Sequence, residues 1–244
     1  MTERPTILVP VQVLEGESIP EGIPDLLANA HVVLLGYHVV PEQTATDQAR
    51  VQFVERATKR LDSLASMLEA GGATVETQLA FTHDGQTTID RIIYEHDCIA
   101  VLVPHATAPP DDVLVAVRGT VGVDRLVRLV AGLFGDGDVD LTLFHALDEG
   151  ESDADAVTLL EGVADRLEDA GVPRDIIDIA TADEVEPLAA LVDRADDYDA
   201  VVVGETDPSV VTFLFGMRTR QVADRFLGPV LVVQRERPTD DGET

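Results

Sequence analysis

The feature that most constrains the fold of this chain is an order of apolar runs and amphipathic helices that occurs twice. Residues 7–11 and 113–117 are short apolar runs, typical of strands buried on both faces of a parallel sheet, and each opens one pass. A second strand, a helix that ends at a glycine, a third strand, a short helix and a fourth strand then follow in the same order. The predicted strands are residues 7–11, 31–40, 74–81, 98–103, 113–117, 140–147, 176–180, 200–203 and 229–234. The predicted helices are residues 47–69, 87–95, 153–170, 185–195 and 218–226, together with a helix that begins after Gly122.

This alternation predicts an α/β protein built by internal duplication. Connections of this length require parallel pairing with right-handed crossovers, so each pass predicts one Rossmann-like parallel sheet flanked by helices. The first pass runs through a proline-rich acidic segment into the second, which continues into a glycine-bounded loop, a helix and a last strand. We therefore predict a first copy over residues 1–104 that lacks the last helix and strand, a linker over residues 105–112, a second copy over residues 113–234 and a flexible tail over residues 235–244.

The charge of the chain is strongly negative. Its net charge is −29, from 46 Asp and Glu against 17 Lys and Arg, and Lys59 is its single lysine. The acidic residues are spread among apolar ones, which argues against a disordered acidic tail. Such a composition is typical of a cytoplasmic protein of a salt-loving organism, where salt screens the repulsion between carboxylates. Because no basic patch is visible, the charge argues against nucleic acid as a partner.

The single cysteine, Cys98, excludes an internal disulfide and a cysteine-based metal cluster. It lies within an apolar segment, which predicts a buried, unreactive thiol. The N-terminal residues lack the apolar region of a signal peptide, and the longest apolar run, residues 30–40, is too short and too polar to span a bilayer. We therefore expect a soluble, cytoplasmic protein.

No set of residues has the pattern of a catalytic or metal centre. The sequence contains neither a Walker motif nor a nucleophile elbow, and no nucleophile–base set is evident. Residues 136–140 (Asp-Gly-Asp-Val-Asp) are spaced like the start of a calcium loop, but Leu141 and Leu147 stand where glycine and glutamate are needed. His38 and His145 recur at the ends of matched strands, where they could lie near a cleft. The sequence therefore predicts neither an enzyme nor a metal site.

The two ends of the repeat resemble those of the universal stress protein family. Ile7-Leu-Val-Pro-Val11 is similar to the strand that opens each unit of that family. Gly204, Leu214-Phe-Gly216 and Gly228-Pro-Val-Leu-Val-Val233 are similar to its closing glycine loop and last strand. The resemblance covers nearly the whole chain in order and spacing. It implies a tandem universal stress protein whose sheets are of the adenine nucleotide alpha hydrolase type.

The resemblance also implies where a nucleotide would bind. ATP-binding members of the family lay the phosphates along the glycine loop, on N–H groups at the start of a helix. The loop after the first strand lies near the adenosine, and the end of the second strand offers its backbone to the adenine. In the second copy these positions are Val117, Arg118, Gly119, Thr120, Leu147, Gly204, Asp207, Gly216, Met217 and Arg218.

Both copies depart from the ATP-binding pattern. In the first copy Gln12 replaces the aspartate of the first loop and no glycine loop follows Val103, which implies no ATP site there. In the second copy Arg118 replaces that aspartate, Asp207 replaces the middle glycine, and Met217 replaces the hydroxyl residue that meets phosphate. Arginine side chains suit phosphate oxygens and could offset the nearby acids. The second copy therefore stays open between no cofactor and ATP or another adenine nucleotide.

These features favour a regulatory binding protein that acts through an unknown protein partner and has no catalytic activity. The first alternative is a nucleotide-binding stress-response switch that uses the second copy. The second alternative is an accessory domain for an amino acid transporter in a membrane, because Val117-Arg-Gly-Thr120 is also similar to stress-protein domains attached to or partnered with amino acid permeases. Family dimers often pair through the last strand, which has no counterpart in the first copy. We therefore expect a homodimer through an exposed edge at residues 230–233.

Overall fold

Strands and helices alternate along nearly the whole chain. The computed structural model describes residues 3–105, 107–119, 122–135, 139–147, 150–183, 187–204 and 228–234. Within these ranges the strands are β1 (Thr6–Gln12), β2 (His31–Val39), β3 (Thr74–Thr82), β4 (Ala100–Val103), β5 (Asp112–Ala116), β6 (Asp140–Ala146), β7 (Ile177–Ala182), β8 (Ala200–Gly204) and β9 (Val230–Val233). The helices are α1 (Ile23–Leu26), α2 (Thr46–Ala70), α3 (Gly85–Glu95), α4 (Val123–Phe134), α5 (Asp153–Asp169) and α6 (Pro187–Ala195), and a 3₁₀ turn (Arg174–Ile176) precedes β7.

The predicted strands and the longer helices are confirmed, with bounds that differ by a few residues. Helix α2 forms where apolar residues recur at helical spacing, and its Leu61, Leu64 and Leu68 are buried against the sheet. Helix α5 begins after Ser152, whose hydroxyl accepts a hydrogen bond from the Asp155 N–H and so caps the first turn. Helix α1 and the 3₁₀ turn were not predicted, because each is too short to show a period. The predicted helix over residues 218–226 lies outside the described residues.

All nine strands belong to one sheet, in the order β3-β2-β1-β4-β9-β8-β5-β6-β7. The prediction of two separate sheets is therefore wrong. Strand β9 joins the two parts because it pairs in parallel with β8 and antiparallel with β4. Leu231 lies opposite Val202 on one side and opposite Leu102 on the other. Every other pairing in the sheet is parallel.

The pairing of β9 also corrects the free edge on which the predicted homodimer depends. That dimer needs a free edge on the last strand. Both edges of β9 are hydrogen-bonded within the chain, from Val230 opposite Val103 to Val233 opposite Ala100 on the β4 side. A second chain therefore has no edge to pair with at β9, and the strand instead joins the two parts of one chain.

The strands on the two sides of β9 have the same order. Strands β1 to β4 are arranged β3-β2-β1-β4, and strands β5 to β8 are arranged β7-β6-β5-β8. We call these the first half and the second half. Their registers also agree, since Thr6 in β1 lies opposite His31 and Asp112 in β5 lies opposite Asp140, each at the start of the pairing. Because β4 and β9 are antiparallel, the strands of the two halves point in opposite directions.

Each half reverses its winding direction once. The chain passes from β1 to β2 and β3 on one side and then returns to β4 on the other side, and β5 to β8 do the same. In open α/β sheets, ligands bind outside the carboxyl ends of the strands at such a reversal. We call the carboxyl ends of β1 and β4 the first switch point and those of β5 and β8 the second switch point.

The two halves share an apolar core and several polar contacts. Arg125 in α4 reaches the first half, where it donates to the Asp97 carboxylate at 2.9 Å. The Thr107 hydroxyl donates to the Asp199 carbonyl at 2.9 Å, and the Asp199 carboxylate accepts from the N–H groups of Asp111 and Asp112. These contacts hold the segment between β4 and β5 against the second half.

The thiol of Cys98 is buried, as the sequence predicts. Burial, and then the nearby Asp97 carboxylate, raise the pKa of the Cys98 thiol to about 12, so the unreactive protonated form dominates at neutral pH. Among the described residues, no helix combines the length and the apolar character needed to cross a bilayer.

Candidate functional site

The second switch point brings together the predicted site residues that the structure describes. Val117, Arg118 and Gly119 follow β5, Leu147 follows β6, and Gly204 ends β8. These strands are adjacent and parallel, with Ala116 opposite both Phe144 and Val203, so their carboxyl ends lie at the same edge of the sheet. The other predicted site residues lie outside the described residues, and they are Thr120, Asp207, Gly216, Met217 and Arg218.

Hydrogen bonds fix the direction of the backbone at this edge. The Val117 N–H donates to the Phe144 carbonyl at 2.8 Å, so the Val117 peptide faces β6. At the other end of β5 the Asp199 N–H donates to the Asp112 carbonyl at 2.9 Å, so the Asp112 peptide faces β8. Arg118 lies two residues past the end of β5, between the hydrogen-bonded Val117 peptide and Gly119.

The loop from β5 to α4 contains two glycines in the left-handed region. Gly119 has a φ of +66° and Gly122 a φ of +79°, and a Cβ added to either would meet no atom within 4 Å. Among the residues that the structure describes, no atom fills the space beside either glycine. Gly122 is the N-cap residue of α4 and has no side chain with which to cap that helix start. Uncapped N–H groups at a helix start favour an anion.

His145 is buried directly beneath this loop. Its side chain is 2% exposed, its Nδ1 atom lies 2.7 Å from the Val117 carbonyl oxygen, and its Nε2 atom lies 2.9 Å from a carboxylate oxygen of Glu151. The sequence placed His145 near a cleft, but it gave no sign of Glu151. The useful signal is the N-cap of α5, because Glu151 immediately precedes Ser152 and so lies near the carboxyl end of β6.

The first switch point is closed by side chains of its own loop. The Thr6 carbonyl at the start of β1 accepts from the N–H of Ile99, which precedes β4, so the Thr6 peptide faces β4. Because the backbone of a strand alternates with a period of two, the Gln12 peptide at the end of β1 faces β4 as well. The Gln12 N–H donates to the Glu17 carboxylate at 2.6 Å. With its side-chain amide nitrogen turned towards Glu15, Gln12 also donates to the Glu15 carboxylate at 2.9 Å. An external anion at this N–H would have to displace Glu17.

Tyr37 lies beside these carboxylates, opposite Gln12 in the sheet. Burial, followed by the negative charge of Glu17, raises the pKa of Tyr37 to about 12. The phenol therefore stays neutral at physiological pH, next to a loop that supplies its own anion. The Glu17 carboxylate thus takes the place that an external anion would take at the first switch point.

Strand register shows that His38 and His145 are not counterparts, which corrects the matched positions expected from the sequence. Val11 and Val117 each lie five residues after the start of their pairing, at Thr6 in β1 and Asp112 in β5. Val11 lies opposite Gly36, and Val117 lies one residue past the Ala116–Phe144 pair, beside His145. His145 therefore corresponds to Gly36. A Cβ on Gly36 would lie 2.8 Å from Val13 Cγ1. The space that an imidazole occupies in the second half is thus filled by other side chains in the first.

The described residues hold no cluster of three or more His, Cys, Asp or Glu side chains arranged to bind a metal ion. The calcium-like segment at residues 136–140 lies largely outside them. An open groove of about 360 Å³ lies on α4 and α5. Its lining consists of Asp124, Val127, Arg128, Arg166, Asp169 and Ala170.

Comparison with known proteins gives a clear result for the fold alone. No protein-family model and no curated protein sequence matches the chain. Among solved structures, a universal stress protein from Archaeoglobus fulgidus is 16% identical, with a TM-score of 0.64 over 97% of this chain and 97% of that chain. A putative universal stress protein from Pseudomonas aeruginosa is 17% identical, with a TM-score of 0.45 over 95% and 94%. A universal stress protein from Archaeoglobus fulgidus in complex with dAMP is 23% identical, with a TM-score of 0.39 over 50% of this chain and 96% of that chain. The first of these shows that the chain has the α/β fold of a universal stress protein over nearly its whole length.

Proposed function

We propose that this chain is a tandem universal stress protein that acts as a regulatory binding protein and has no catalytic activity. The observation that carries the proposal is the fold, which matches that of a universal stress protein over 97% of the chain. The charge and the resemblance of the chain ends support the same function in the cytoplasm of a salt-loving organism. The partner in this proposal is another protein, and nucleic acid is disfavoured by the net charge of −29.

The tandem character is supported by the common architecture of the halves. Their strand orders are the same, and the hydrogen bond from Ile99 to Thr6 corresponds to that from Asp199 to Asp112. In this proposal the first copy has lost its own last strand and uses β9 of the second copy instead. A single last strand, β9, then serves both copies, whereas two separate universal stress domains would each need a last strand of their own.

The second candidate function is a nucleotide-binding switch that uses the second switch point alone. It is favoured by the absence of described atoms beside Gly119 and Gly122 and by a glycine N-cap at the start of α4, where helix N–H groups favour a phosphate. The first switch point does not take part in this candidate, because Glu17 already occupies the Gln12 N–H. A third candidate, an accessory domain for an amino acid transporter, rests on the sequence resemblance alone, and co-purification with a permease is its test.

Titration calorimetry with ATP, ADP and AMP in molar KCl separates the first two candidates. If the second switch point binds a nucleotide, the wild type binds at sub-millimolar concentration and Gly204→Val abolishes binding. The exposed Gly162→Val in α5, where a Cβ would meet no atom within 4 Å, serves as the control and retains it. Absence of binding at millimolar ATP in folded protein rules out the nucleotide switch. Release of phosphate from ATP at a rate above that of Gly204→Val would overturn the proposal of a protein without catalytic activity.

A further inference from the structure

A buried pair of titratable side chains connects two loops at the second switch point. His145 contacts the Val117 carbonyl in the loop from β5 to α4 and the Glu151 carboxylate in the loop from β6 to α5. Ser152 follows Glu151 directly and caps α5, so Glu151 is held close to a fixed helix start. His145 is therefore the side chain that ties the backbone of Val117 to the start of α5.

The two contacts of His145 require two protons on the pair. A neutral imidazole has one N–H donor and one acceptor nitrogen, whereas both nitrogens donate only in the imidazolium form. The Val117 carbonyl accepts only, so Nδ1 carries a proton. At Nε2 the contact with Glu151 then needs either an imidazolium beside a carboxylate or a neutral ring beside a protonated carboxyl group. Once the pair holds a single proton, a nitrogen lone pair and a carboxylate face each other inside the protein, which is unfavourable.

Several charged groups that the structure describes lie on the elements packed around this pair. Arg118 follows Val117 on the β5 side, and Asp153 begins α5, where its carboxylate accepts from the Thr181 hydroxyl of β7. Thr181 lies opposite His145 in the sheet and carries no charge. In the first turn of α4, Asp124 is paired with Arg166 at 2.7 Å. The other face of β6 is apolar, because α6 packs there against Phe144 and Ala146.

We propose that proton loss from the His145–Glu151 pair releases the loop at Val117–Gly119 and weakens anion binding at the second switch point. This regulation rests on the nucleotide-binding candidate described above. Two effects act in the same direction. Proton loss breaks the tether that positions the loop, and it also changes the net charge of the pair from zero to about −1 beneath the place where an anion would bind. Binding is therefore strongest when the pair holds two protons and falls as pH rises.

The first half has no such device. Gly36 takes the position of His145 in the register, and the side chains of Val13 and Leu61 fill the space. His38 lies two residues farther along β2, packs edge-on against Phe53 and Phe81, and has a buried Nδ1 atom without a hydrogen-bond partner in the described structure. His38→Gln is thus a control that removes an imidazole near a strand end in the first half, away from the loops that His145 connects.

Nuclear magnetic resonance of the full chain in molar KCl tests the tether without any ligand. In uniformly ¹⁵N-labelled protein, the ring nitrogens of His145 are followed together with the amide signals of Arg118 and Gly119 from about pH 5 to about pH 9. We expect the two amides to shift with the same midpoint as the His145 ring in the wild type and in His38→Gln. In Glu151→Gln the side-chain amide donates to a neutral Nε2, so the contact survives without the second proton and the two amides stay constant.

Binding of AMP over the same pH range tests the regulation. In the wild type we expect the affinity to fall about tenfold through the midpoint of His145, a typical size for coupling between sites, and in Glu151→Gln to remain flat. The proposal is overturned if the Arg118 and Gly119 signals do not follow His145, if they follow pH equally in Glu151→Gln, or if AMP binds with constant affinity while they shift. If AMP does not bind at any pH, the nucleotide candidate fails, and the loop signals alone still decide whether the proton tether exists.

Discussion

The two switch points lie among strands of the same order, but different backbone groups are hydrogen-bonded by side chains at each. At the first, the Gln12 N–H is bonded to Glu17, and Val13 packs over Gly36. At the second, the register position that corresponds to Gly36 is His145, which contacts the Val117 carbonyl, and no described atom lies within 4 Å of a Cβ added to the glycines of the following loop. The first switch point is thus closed by its own side chains, while the second has a buried histidine–carboxylate pair beneath its loop. The difference shows that two halves with the same strand order can differ through a few residues that follow the strands.

The largest expected effect comes from a cavity in β9, the strand that both halves share. Leu231 is fully buried and lies between Leu102 and Val202. We expect Leu231→Ala to lower the free energy of unfolding by about 2–5 kcal/mol, because the cavity affects both halves. Urea unfolding in molar KCl, followed by circular dichroism, measures the effect. Val51→Ala, at a side chain that is 84% exposed, is the control. Two separate unfolding transitions, with the first half unchanged, would show that the halves are independent.

The next test concerns the closed packing of the first switch point. In Gly36→Ala the new Cβ would lie 2.8 Å from Val13 Cγ1 and 3.0 Å from Leu61 Cδ1, so we expect a loss of about 1–3 kcal/mol from overpacking. Gly162→Ala provides the contrast. Its site in α5 is exposed and open, and alanine there stabilises a helix by about 0.5–1 kcal/mol. Equal stability changes in both variants would mean that the first switch point is not tightly packed.

Glu17→Gln tests whether the first switch point holds its own anion. We expect a loss of about 1 kcal/mol or less, because an exposed charged acceptor is replaced by a neutral one. Loss of the Glu17 charge also lowers the pKa of Tyr37, although burial, its main cause, keeps that pKa above the usual value of 10.0. Ultraviolet absorbance of tyrosinate measures the shift, with Tyr37→Phe to identify the signal and Glu42→Gln as the control.

The sign of the Tyr37 contribution to stability follows from its raised pKa. The folded state keeps the phenol neutral up to about 12, whereas the unfolded chain ionises near 10.0. Tyr37 therefore contributes stability that is complete below 10.0 and is lost as pH rises towards 12. If Glu17→Gln leaves the titration of Tyr37 unchanged, Glu17 is not held against this switch point in solution.

The smallest expected effect lies at the amino ends of the strands. Burial, and then the charges of Asp140, Asp199 and Asp111, raise the pKa of Asp112. The positions in the first half that correspond to Asp112 and Asp140 are Thr6 and His31, so the repulsion is confined to the second half. We expect Asp112→Asn to stabilise the protein by up to about 0.5 kcal/mol at low salt, and the gain to shrink in molar KCl.

The pH dependence of that variant checks the cause. A carboxyl group with a raised pKa gives stability below its usual pKa that is lost as pH rises through the raised value. The advantage of Asp112→Asn therefore appears at neutral pH and disappears in acid. Thermal unfolding across pH, with the exposed Asp178→Asn in β7 for comparison, measures it. A gain that is the same at all salt concentrations would contradict the electrostatic origin.

The sequence predicted the elements better than their assembly, for a physical reason. Apolar runs and helical periodicity are local, so β1 to β9 and the amphipathic helices could be found from them. The antiparallel pairing of Val230 with Val103 joins residues far apart in the chain, and it leaves no periodic mark in either strand. The prediction of two sheets and of a free edge failed for this reason.

The candidate site was predictable in its position but not in its contacts. Glycines after apolar strands locate Gly119 and Gly204 at the carboxyl edge of the sheet. The partners of His145 and Gln12 depend on how the following loops turn, and a loop carries no period from which this could be read. The recurrence of His38 and His145 at the ends of matched strands was misleading, because the strand registers place Gly36, and not His38, at the position that corresponds to His145.

The reversal of strand direction between β4 and β9 has a consequence for how this protein can meet other molecules. Because the strands of the two halves point in opposite directions, the two switch points lie at opposite rims of the sheet, separated by roughly the length of a strand, about 23 Å for the seven residues of β1. The loops that follow β1 and those that follow β5 therefore face away from each other, so a substitution at one rim is made without direct contact with the loops of the other rim.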